Sequence, residues 1–295
     1  MPISHQFDYK KVKTTDEAVD LLAKYGDKAK ILAGGTDLTV LIKEDFATPE
    51  LLIDVKEIPE FNKIEFSDGI LTMGAGVTFS DIEESEIIKQ KFYVLWEAAL
   101  TVASISVRNR ATVAGNICSA VPSLDSAPAL MVFDAKVNVK SQKEERTIPI
   151  SEWFVAPKRT ALKPNEIVIS ISMKLPEGKT ASCYKKLGRY KGEDLAQVGV
   201  GVVVSENKEY KISFCAVGPI PVRATKIENF LKGKDLTDQT IKEARQIVEQ
   251  EISPITDIRA SKEYRMEMAK VMMEKALNDA TAILSGKEIK TEAII

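Results

Sequence analysis

The sequence predicts an α+β fold, and three features support that class. Helical and strand patterns are mixed over the first part of the chain, an antiparallel meander follows, and charged amphipathic helices end the chain. The regular alternation of strand and helix that is typical of a parallel α/β sheet is missing. With 295 residues, 44% of them hydrophobic, the chain is long enough for two domains or for one domain with clear subdivisions.

Capping residues and periodicity predict the first elements. Thr14 and Glu17 have the spacing of a capping box, and the helix that they begin is expected to stop at Gly26. Residues 29–33 (AKILA) read as a short buried strand, whereas 38–43 (LTVLIK) fit either a helix or a strand. Further strands are predicted at 51–55, 63–66 and 70–75, followed by a helix over about 87–103.

The later elements divide the chain once more. The segment 174–180 has the composition of a subdomain boundary. Before it, strands are predicted at 135–141 and 146–150; after it, a meander is predicted at 182–187, 197–205 and 210–217, with helices over 238–252 and 261–284.

Composition excludes several classes of function. The net charge of −2 provides no basic surface for nucleic acid or for an anionic membrane. Cys118, Cys183 and Cys215 are far apart in sequence, which argues against disulfides, structural zinc and protein-bound iron–sulfur clusters. His5 is the only histidine, so serine–histidine triads and histidine metal sites are not expected. Without a signal peptide or a long apolar run, a cytoplasmic protein with no membrane span is predicted.

The first candidate site is the turn Ala33–Asp37 (AGGTD). Glycines without a Cβ let backbone N–H groups face an anion, and the Thr36 hydroxyl can add a donor, so the turn could hold a phosphate. The alternative is a tight turn in which Thr36 or Asp37 caps a helix.

The second candidate is the segment 111–128 (ATVAGNICSAVPSLDSAP), which has a similar composition. A small-residue stretch with a glycine is followed by short polar side chains, among them Thr112, Asn116, Ser119, Ser123 and Asp125. Two such loops suit a ligand that has two phosphates and sugar hydroxyls. The alternatives are an Ω-like loop held by its own side chains and, for Asp125, a helix N-cap.

The third candidate is the segment 184–199 (YKKLGRYKGEDLAQVG). Lys185, Lys186 and Arg189 could meet the anionic edge of a ligand, and Leu195 lies at the start of a predicted strand. A solvated hairpin tip is the alternative. No P-loop is present, and the partial glycine motifs at 74–79 and 199–204 are interpreted as strand segments.

Together these segments resemble the FAD-binding subunit of the molybdenum hydroxylases. That family includes xanthine dehydrogenase, the medium subunit of aerobic carbon monoxide dehydrogenase, and nicotinate dehydrogenase. The resemblance rests on ILAGGTDL (31–38) and SVRNRATVAGNICSAVPSLDSAPAL (106–130). It extends along nearly the whole chain, through YKKLGR (184–189), AVGPIPVRATKIENFLKGK (216–234) and ASKEYRMEMA (260–269).

The resemblance implies two domains. Residues 1–176 would form a two-part FAD-binding domain of the vanillyl-alcohol-oxidase type, with subdomains at about 1–58 and 59–176. Residues 177–295 would form a C-terminal flavoprotein domain of the carbon monoxide dehydrogenase type, with a small three-stranded antiparallel sheet and helices.

The resemblance also implies a set of FAD-binding residues. The first loop would wrap the diphosphate, the second would bind on the phosphate side, Asp125 would accept from sugar or ribityl hydroxyls, and Leu195 would lie against the isoalloxazine ring. Lys185 matches a basic residue of the family, with Lys186 as the rival alignment. The implied residues are Leu32, Ala33, Gly34, Gly35, Thr36, Asp37, Thr112, Ala114, Gly115, Asn116, Ser119, Asp125, Lys185, Lys186 and Leu195.

Two positions depart from the family pattern. The second loop has Ala114-Gly115 where a Gly-Gly pair is usual, and a methyl group is tolerated there only if φ is negative. The region 190–194 is one residue longer than in xanthine dehydrogenase.

The implied function is electron transfer. In the family, electrons pass from a substrate at a molybdopterin centre through iron–sulfur clusters to this flavin, and on to NAD⁺ or another acceptor. The clusters and the molybdopterin are expected on partner subunits because three scattered cysteines cannot bind clusters. No catalytic acid or base and no metal ligand is expected on this chain. The alternatives are a stand-alone FAD-dependent oxidase of the same fold and a flavin-free assembly protein.

Overall fold

A computed structural model describes residues 3–190 and 193–289. Its first part is a three-stranded parallel sheet with two helices, in the order β1 (Asp8–Lys11), α1 (Thr15–Tyr25), β2 (Ala29–Leu32), α2 (Leu38–Lys43) and β3 (Leu51–Asp54). The strand order is β1-β3-β2, so β3 is central and buried. The segment that fitted either a helix or a strand is helix α2.

Two predictions for this part need correction. The Thr14 hydroxyl accepts from the Glu17 N–H as predicted, but the Glu17 carboxylate accepts from the N–H of Lys13 instead of Thr14, so the capping box is incomplete. Strand β2 was predicted to be buried, yet only Ala29 is, because β2 lies at the edge of its sheet.

The second part is built on a five-stranded antiparallel sheet of order β4-β5-β10-β6-β7. Strands β8 and β9 form a separate two-stranded ribbon. The elements are β4 (Ile64–Ser67), β5 (Ile70–Gly74), α3 (Phe79–Glu84), α4 (Glu86–Lys91), α5 (Tyr93–Leu100), α6 (Ile105–Arg108), α7 (Val113–Ser119), α8 (Ser126–Val132), β6 (Lys136–Lys140), β7 (Glu145–Pro149), α9 (Ile150–Trp153), β8 (Phe154–Ala156), β9 (Arg159–Thr160) and β10 (Ile167–Lys174).

Three features of this part differ from the predictions. The helix predicted over 87–103 is divided into α4 and α5 at Phe92, whose φ of −127° and ψ of 48° are not helical. The Phe92 ring is fully buried against Phe133, and this anchoring accompanies the break. Strand β10, the centre of the sheet, was not predicted. The partial glycine motif at 74–79 is strand only at Gly74, and α3 begins at its last residue.

The C-terminal part is an antiparallel meander covered by helices, as predicted. Its sheet has the order β11-β12-β13-β14, so a short fourth strand joins the three that were expected. The elements are β11 (Thr180–Leu187), β12 (Val198–Ser205), β13 (Tyr210–Cys215), β14 (Val222–Arg223), α10 (Thr225–Leu231), α11 (Asp238–Ile247) and α12 (Lys262–Leu284). Helix α10 was not predicted.

Strand β11 lies between the two parts, and its alternate residues face different cores. Tyr184 belongs to the large hydrophobic core formed mainly by the first 173 residues, whereas Cys183 belongs to the core under α12. This alternation decides which β11 side chains can reach the site described next.

None of the described helices is long and apolar enough to cross a membrane. The described ranges also contain no group of three or more His, Cys, Asp or Glu side chains that could hold a metal ion.

Candidate functional site

A cavity of about 580 Å³ lies where the two predicted loops meet the C-terminal sheet. Its wall is mainly apolar with a few polar groups, as is typical of small-molecule sites. Every residue proposed from the resemblance lines it except Leu32 and Lys185: the lining set is Ala33, Gly34, Gly35, Thr36, Asp37, Thr112, Ala114, Gly115, Asn116, Ser119, Asp125, Lys186 and Leu195. Ser123 also lines it. Folding thus brings three distant segments together.

The two glycine positions of the first loop require glycine for different structural reasons. A Cβ on Gly34 would lie 2.0 Å from the carbonyl oxygen of Arg110, so only glycine lets the first loop pack against the start of the second. Gly35 has a φ of 78°, a left-handed conformation that glycine adopts without strain. The glycine pair therefore joins the two loops into one wall of the cavity.

The first loop does not cap helix α2 with a side chain. Asp37, not Thr36, occupies the N-cap position, and it makes no side-chain hydrogen bond to the first turn. The alternative that placed Asp37 at the N-cap is therefore confirmed in position, and the one that placed Thr36 there is wrong. Within the first turn of α2, the Thr39 N–H donates to the Gly35 carbonyl oxygen at 3.0 Å, and Leu38, the first residue of the helix, lines the cavity.

The second segment is not an Ω-like loop, because it forms helices α7 and α8 joined by a short turn. Thr112 caps α7, and its hydroxyl accepts from the Gly115 N–H at 2.9 Å. Ala114, where the family has glycine, lies inside α7 and is absent from the described residues with positive φ. Its methyl group is accommodated without a shift of the loop.

The side-chain amide of Asn116 is oriented by Ser126. Ser126 donates to Asn116 Oδ1 at 2.7 Å, and the Ser119 hydroxyl donates to the Asn116 carbonyl oxygen at 2.8 Å. Because the amide oxygen already accepts a hydrogen bond, Nδ2 is the group of this side chain that can donate to a ligand.

The Asp125 carboxylate is buried and held by two donors. Asp125 occupies the N-cap position of α8, as the alternative had it, but its side chain makes no hydrogen bond to the first turn. Instead, Oδ1 accepts from the Tyr184 hydroxyl at 2.7 Å and Oδ2 accepts from Lys186 Nζ at 2.9 Å. Burial raises the pKa of Asp125, and these two donors oppose the rise. Burial and the nearby Asp125 also raise the pKa of Tyr184 well above its ordinary value, so its hydroxyl remains a donor.

The structure separates the two rival lysines. Lys186 lines the cavity and also donates to the carbonyl oxygen of Thr101 at 2.8 Å. Lys185 faces the opposite side of β11, where its Nζ lies 2.7 Å from Asp279 of α12. The expectation that Lys185 reaches the ligand is therefore not supported by its position.

Leu32 also lies outside the cavity. The lining residues of β2 are Lys30 and Ile31, and the contact resumes at Ala33. The side chain of Leu32 packs beneath the loop instead, since its Cδ1 lies 2.8 Å from the place that a Cβ on Gly35 would take.

The loop between β11 and β12 is closed by Asp194. Its carboxylate accepts from the N–H groups of Arg189 at 2.5 Å and Leu195 at 3.0 Å. Leu195, half-exposed, reaches the cavity from this loop, whereas Arg189 does not line it. Lys191 and Gly192, within the region 190–194 where one extra residue was predicted, lie outside the described residues.

Several lining residues were missed by sequence reasoning. Glu166, Ile167 and Val168 reach the cavity at the start of β10, and the Glu166 carboxylate is paired with Arg146 at 2.7 and 2.8 Å. The Ile–Ser alternation of residues 169–172 could have indicated this strand, but nothing in it indicates a cavity. Cys118 also lines the cavity, and burial raises its pKa to about 12, so the thiol remains protonated.

Comparisons with known proteins agree with this architecture. The family model of the FAD-binding domain in molybdopterin dehydrogenase matches residues 5–176, and that of the CO dehydrogenase flavoprotein C-terminal domain matches residues 182–280. The carbon monoxide dehydrogenase medium chain of Hydrogenophaga pseudoflava is 32% identical over 284 residues, which cover 95% of this chain and 99% of that one. A putative xanthine dehydrogenase FAD-binding subunit of Escherichia coli is 28% identical over 285 residues, or 95% and 97% of the two chains.

A solved structure is similar over nearly its whole length. A chain of the Hydrogenophaga pseudoflava carbon monoxide dehydrogenase that lacks the Mo-pyranopterin moiety superposes with a TM-score of 0.90 at 33% identity, covering 94% of this chain and 98% of that chain. The protein therefore belongs to the family of FAD-binding medium subunits of the molybdenum hydroxylases. It is a flavoprotein subunit of the oxidoreductase class, as the sequence predicted.

Proposed function

We propose that the cavity binds FAD and that the chain carries electrons from iron–sulfur clusters of a partner subunit, through this FAD, to NAD⁺ or another acceptor. The observation that carries the proposal is the convergence of both predicted loops on one cavity, which also receives Lys186 and Leu195 from the C-terminal part. That arrangement suits a ligand with an anionic middle and an apolar end.

The residues present fit FAD. Gly34 and Gly35 let the backbone of the first loop come close to a diphosphate, because glycine has no Cβ and Gly35 adopts a positive φ. Asn116 Nδ2 offers a further donor, and Asp125 offers a carboxylate acceptor to hydroxyls of the cofactor. The volume of about 580 Å³ lies within the usual range of cofactor pockets, roughly 300–1,000 Å³.

The apolar part of the wall suits the ring system. Other segments of the chain supply apolar side chains to the cavity wall. These are Ile167 and Val168 of β10 and Leu195 of the loop before β12. Bound FAD would supply the redox chemistry, in one-electron or two-electron steps. The chain's own residues would bind and orient it and exclude water from it.

The domain division follows from the same placement. We propose that residues 1–58 and 59–176 are the two subdomains of the FAD-binding domain and that residues 177–295 form the domain that closes the cavity. The separate hydrophobic core of residues 181–280 supports this division.

The proposed partners follow from the cysteines. Cys118, Cys183 and Cys215 are free thiols, and Cys183 and Cys215 are buried in the C-terminal sheet. Iron–sulfur clusters need several cysteine ligands at one site. We therefore place the clusters, and the molybdopterin, on partner subunits of one complex.

The test is to purify the tagged chain with its bound partners from cells that produce it. Released flavin is identified by chromatography, iron and molybdenum are measured, and the complex is reduced without oxygen and then mixed with NAD⁺. We expect FAD together with both metals, and reoxidation of the flavin by NAD⁺. A flavin that only another oxidant reoxidises would overturn NAD⁺ as acceptor. A flavoprotein without either metal would overturn the electron path.

A further inference from the structure

The strongest further feature is a tyrosine behind the cavity wall. Tyr184 is buried and does not line the cavity, yet its hydroxyl donates to Asp125, which does. The side chain comes from β11, whereas Asp125 stands at the start of α8. A residue of the C-terminal part therefore contacts the far side of a proposed ligand-binding carboxylate.

The place of Tyr184 is fixed from three directions. Its N–H donates to the Glu97 carboxylate of α5 at 2.7 Å, and its hydroxyl lies 3.9 Å from Cys215 Sγ of β13. On the neighbouring strand β12, a Cβ on Gly199 would lie 2.5 Å from the Tyr184 hydroxyl oxygen. The absence of a side chain at Gly199 thus leaves the space that this hydroxyl occupies. This packing explains why the first position of the partial motif at 199–204 is a glycine.

Among the described residues, the titratable groups that are hydrogen-bonded to Asp125 come from β11. Lys186 and Tyr184 of β11 contact its two oxygens, and the Cys215 thiol of β13 lies beyond the tyrosine hydroxyl. On α5, Glu97 faces β11 at the Tyr184 backbone. At the other end of α8, Arg223 of β14 donates to Asp134 and to the Met131 carbonyl oxygen.

These contacts decide the form in which Asp125 meets a ligand. A buried carboxyl without donors favours its protonated form, whereas donors to its oxygens favour the carboxylate. A carboxylate held by two donors still has lone pairs for further hydrogen bonds.

We propose that Tyr184 is a positioning residue of the FAD site: together with Lys186, its hydroxyl holds Asp125 as an oriented carboxylate that accepts a hydroxyl group of the cofactor. This inference rests on the proposed assignment of Asp125 to FAD. Tyr184 itself touches neither the cavity nor the cofactor, so its effect passes through Asp125.

The test measures the FAD dissociation constant of the full-length apoprotein between about pH 6 and pH 8.5 for the wild type, Tyr184→Phe and Asp125→Asn. In Tyr184→Phe, Asp125 loses one donor and takes up a proton at higher pH. We expect the fall in FAD affinity toward low pH to begin at a higher pH than in the wild type, with a loss of up to about tenfold, as for the loss of one hydrogen bond to a charged group.

Tyr210→Phe is the matched control. Its hydroxyl is also largely buried in the same sheet and donates to the Lys234 carbonyl oxygen at 2.7 Å, away from the cavity. A Tyr184→Phe protein whose affinity and pH profile match those of Tyr210→Phe would overturn the inference.

The double variant Asp125→Asn with Tyr184→Phe separates positioning from a general structural effect. If Tyr184 acts through Asp125, the double variant binds FAD no more weakly than Asp125→Asn alone. Additive losses at every pH would overturn the inference while leaving the FAD site in place. Wild-type affinity in Asp125→Asn would remove Asp125 from the FAD site, and with it both the assignment and the inference.

Discussion

At the scale of the residue, two buried glutamates show how surroundings decide charge. Glu97 of α5 accepts from the Tyr184 N–H at 2.7 Å, and burial raises its pKa to about 7 although this bond and the charge of Lys185 oppose the rise. Glu166 is paired with Arg146, and that hydrogen-bonded cation lowers the pKa of Glu166. The two residues therefore affect stability with opposite dependence on pH.

Glu97→Gln should make the free energy of unfolding depend less on pH between about pH 4.5 and pH 7. Because the folded state favours protonated Glu97, its contribution is full below the unfolded pKa of about 4.5 and is lost as pH rises through about 7. Glutamine keeps the acceptor without the charge. We expect Glu97→Gln to be about 2–3 kcal/mol more stable than the wild type at about pH 8, with the gain shrinking toward pH 5, by denaturant unfolding.

Glu166→Gln is the control of opposite sign. Its folded pKa is lowered, so its contribution is present at neutral pH and lost as pH falls through that lowered pKa. The substitution should destabilise the protein at about pH 8. A Glu97→Gln protein that is also less stable than the wild type there would show that the fold does not raise the pKa of Glu97.

The residue types in the sequence predicted most of the residues that line the cavity. They did not predict which of two adjacent residues on a strand points toward it. Lys185 and Lys186 are equivalent in sequence, and only the pleat of β11 sends one to Asp279 and the other to Asp125. Tyr184 was missed for the same reason, since its role depends on packing between β11, α8 and the space left by Gly199.

At the scale of the element, the two loops depend on each other. The first loop packs against the carbonyl group of Arg110 through Gly34, and its backbone runs directly into α2. The second loop enters α7 through the Thr112 cap. The close contact between Gly34 and the Arg110 carbonyl group therefore holds the start of α2 near the start of α7.

Gly34→Ala should separate the loops. The added methyl would lie 2.0 Å from a backbone oxygen that cannot move alone, so we expect a loss of about 1–3 kcal/mol in the free energy of unfolding and at least about tenfold weaker FAD binding. Both are measured on the purified chain, by denaturant unfolding and FAD titration.

Gly218→Ala is the matched control, because the nearest atom to its new Cβ, the Ile220 carbonyl oxygen, would be 3.3 Å away and Gly218 does not line the cavity. FAD affinity in Gly34→Ala equal to that in Gly218→Ala would contradict the role given to the loop contact.

Local signals predicted elements well where they were strong, as in the capped helix α1 and the meander. The signals failed where tertiary packing decides. Phe92 breaks a helical pattern because its ring is held between Phe66 and Phe133. Strand β10 has bulky and serine residues in alternation, and its place in the centre of the sheet comes from pairing with β5 and β6.

At the scale of the whole molecule, the cavity depends on all three parts of the chain. The first part supplies the glycine loop, the second supplies Thr112, Asn116 and Asp125, and the C-terminal part supplies Lys186 and Leu195. The resemblance of the motifs along the chain was enough to predict the family. The closing of the cavity by β10 and β11 has no counterpart in any local pattern and required the folded chain.

The most direct measurement is the FAD stoichiometry of the purified chain and of a variant with Thr36→Ala and Asn116→Ala, after saturation with FAD and desalting. The control is Thr147→Ala with Asn138→Ala, the same substitutions in a hydrogen-bonded pair of β6 and β7 outside the cavity lining. We predict one FAD for each wild-type and control chain, and loss of FAD from a folded Thr36/Asn116 variant. Stoichiometric FAD retained by that variant would contradict the two-loop site.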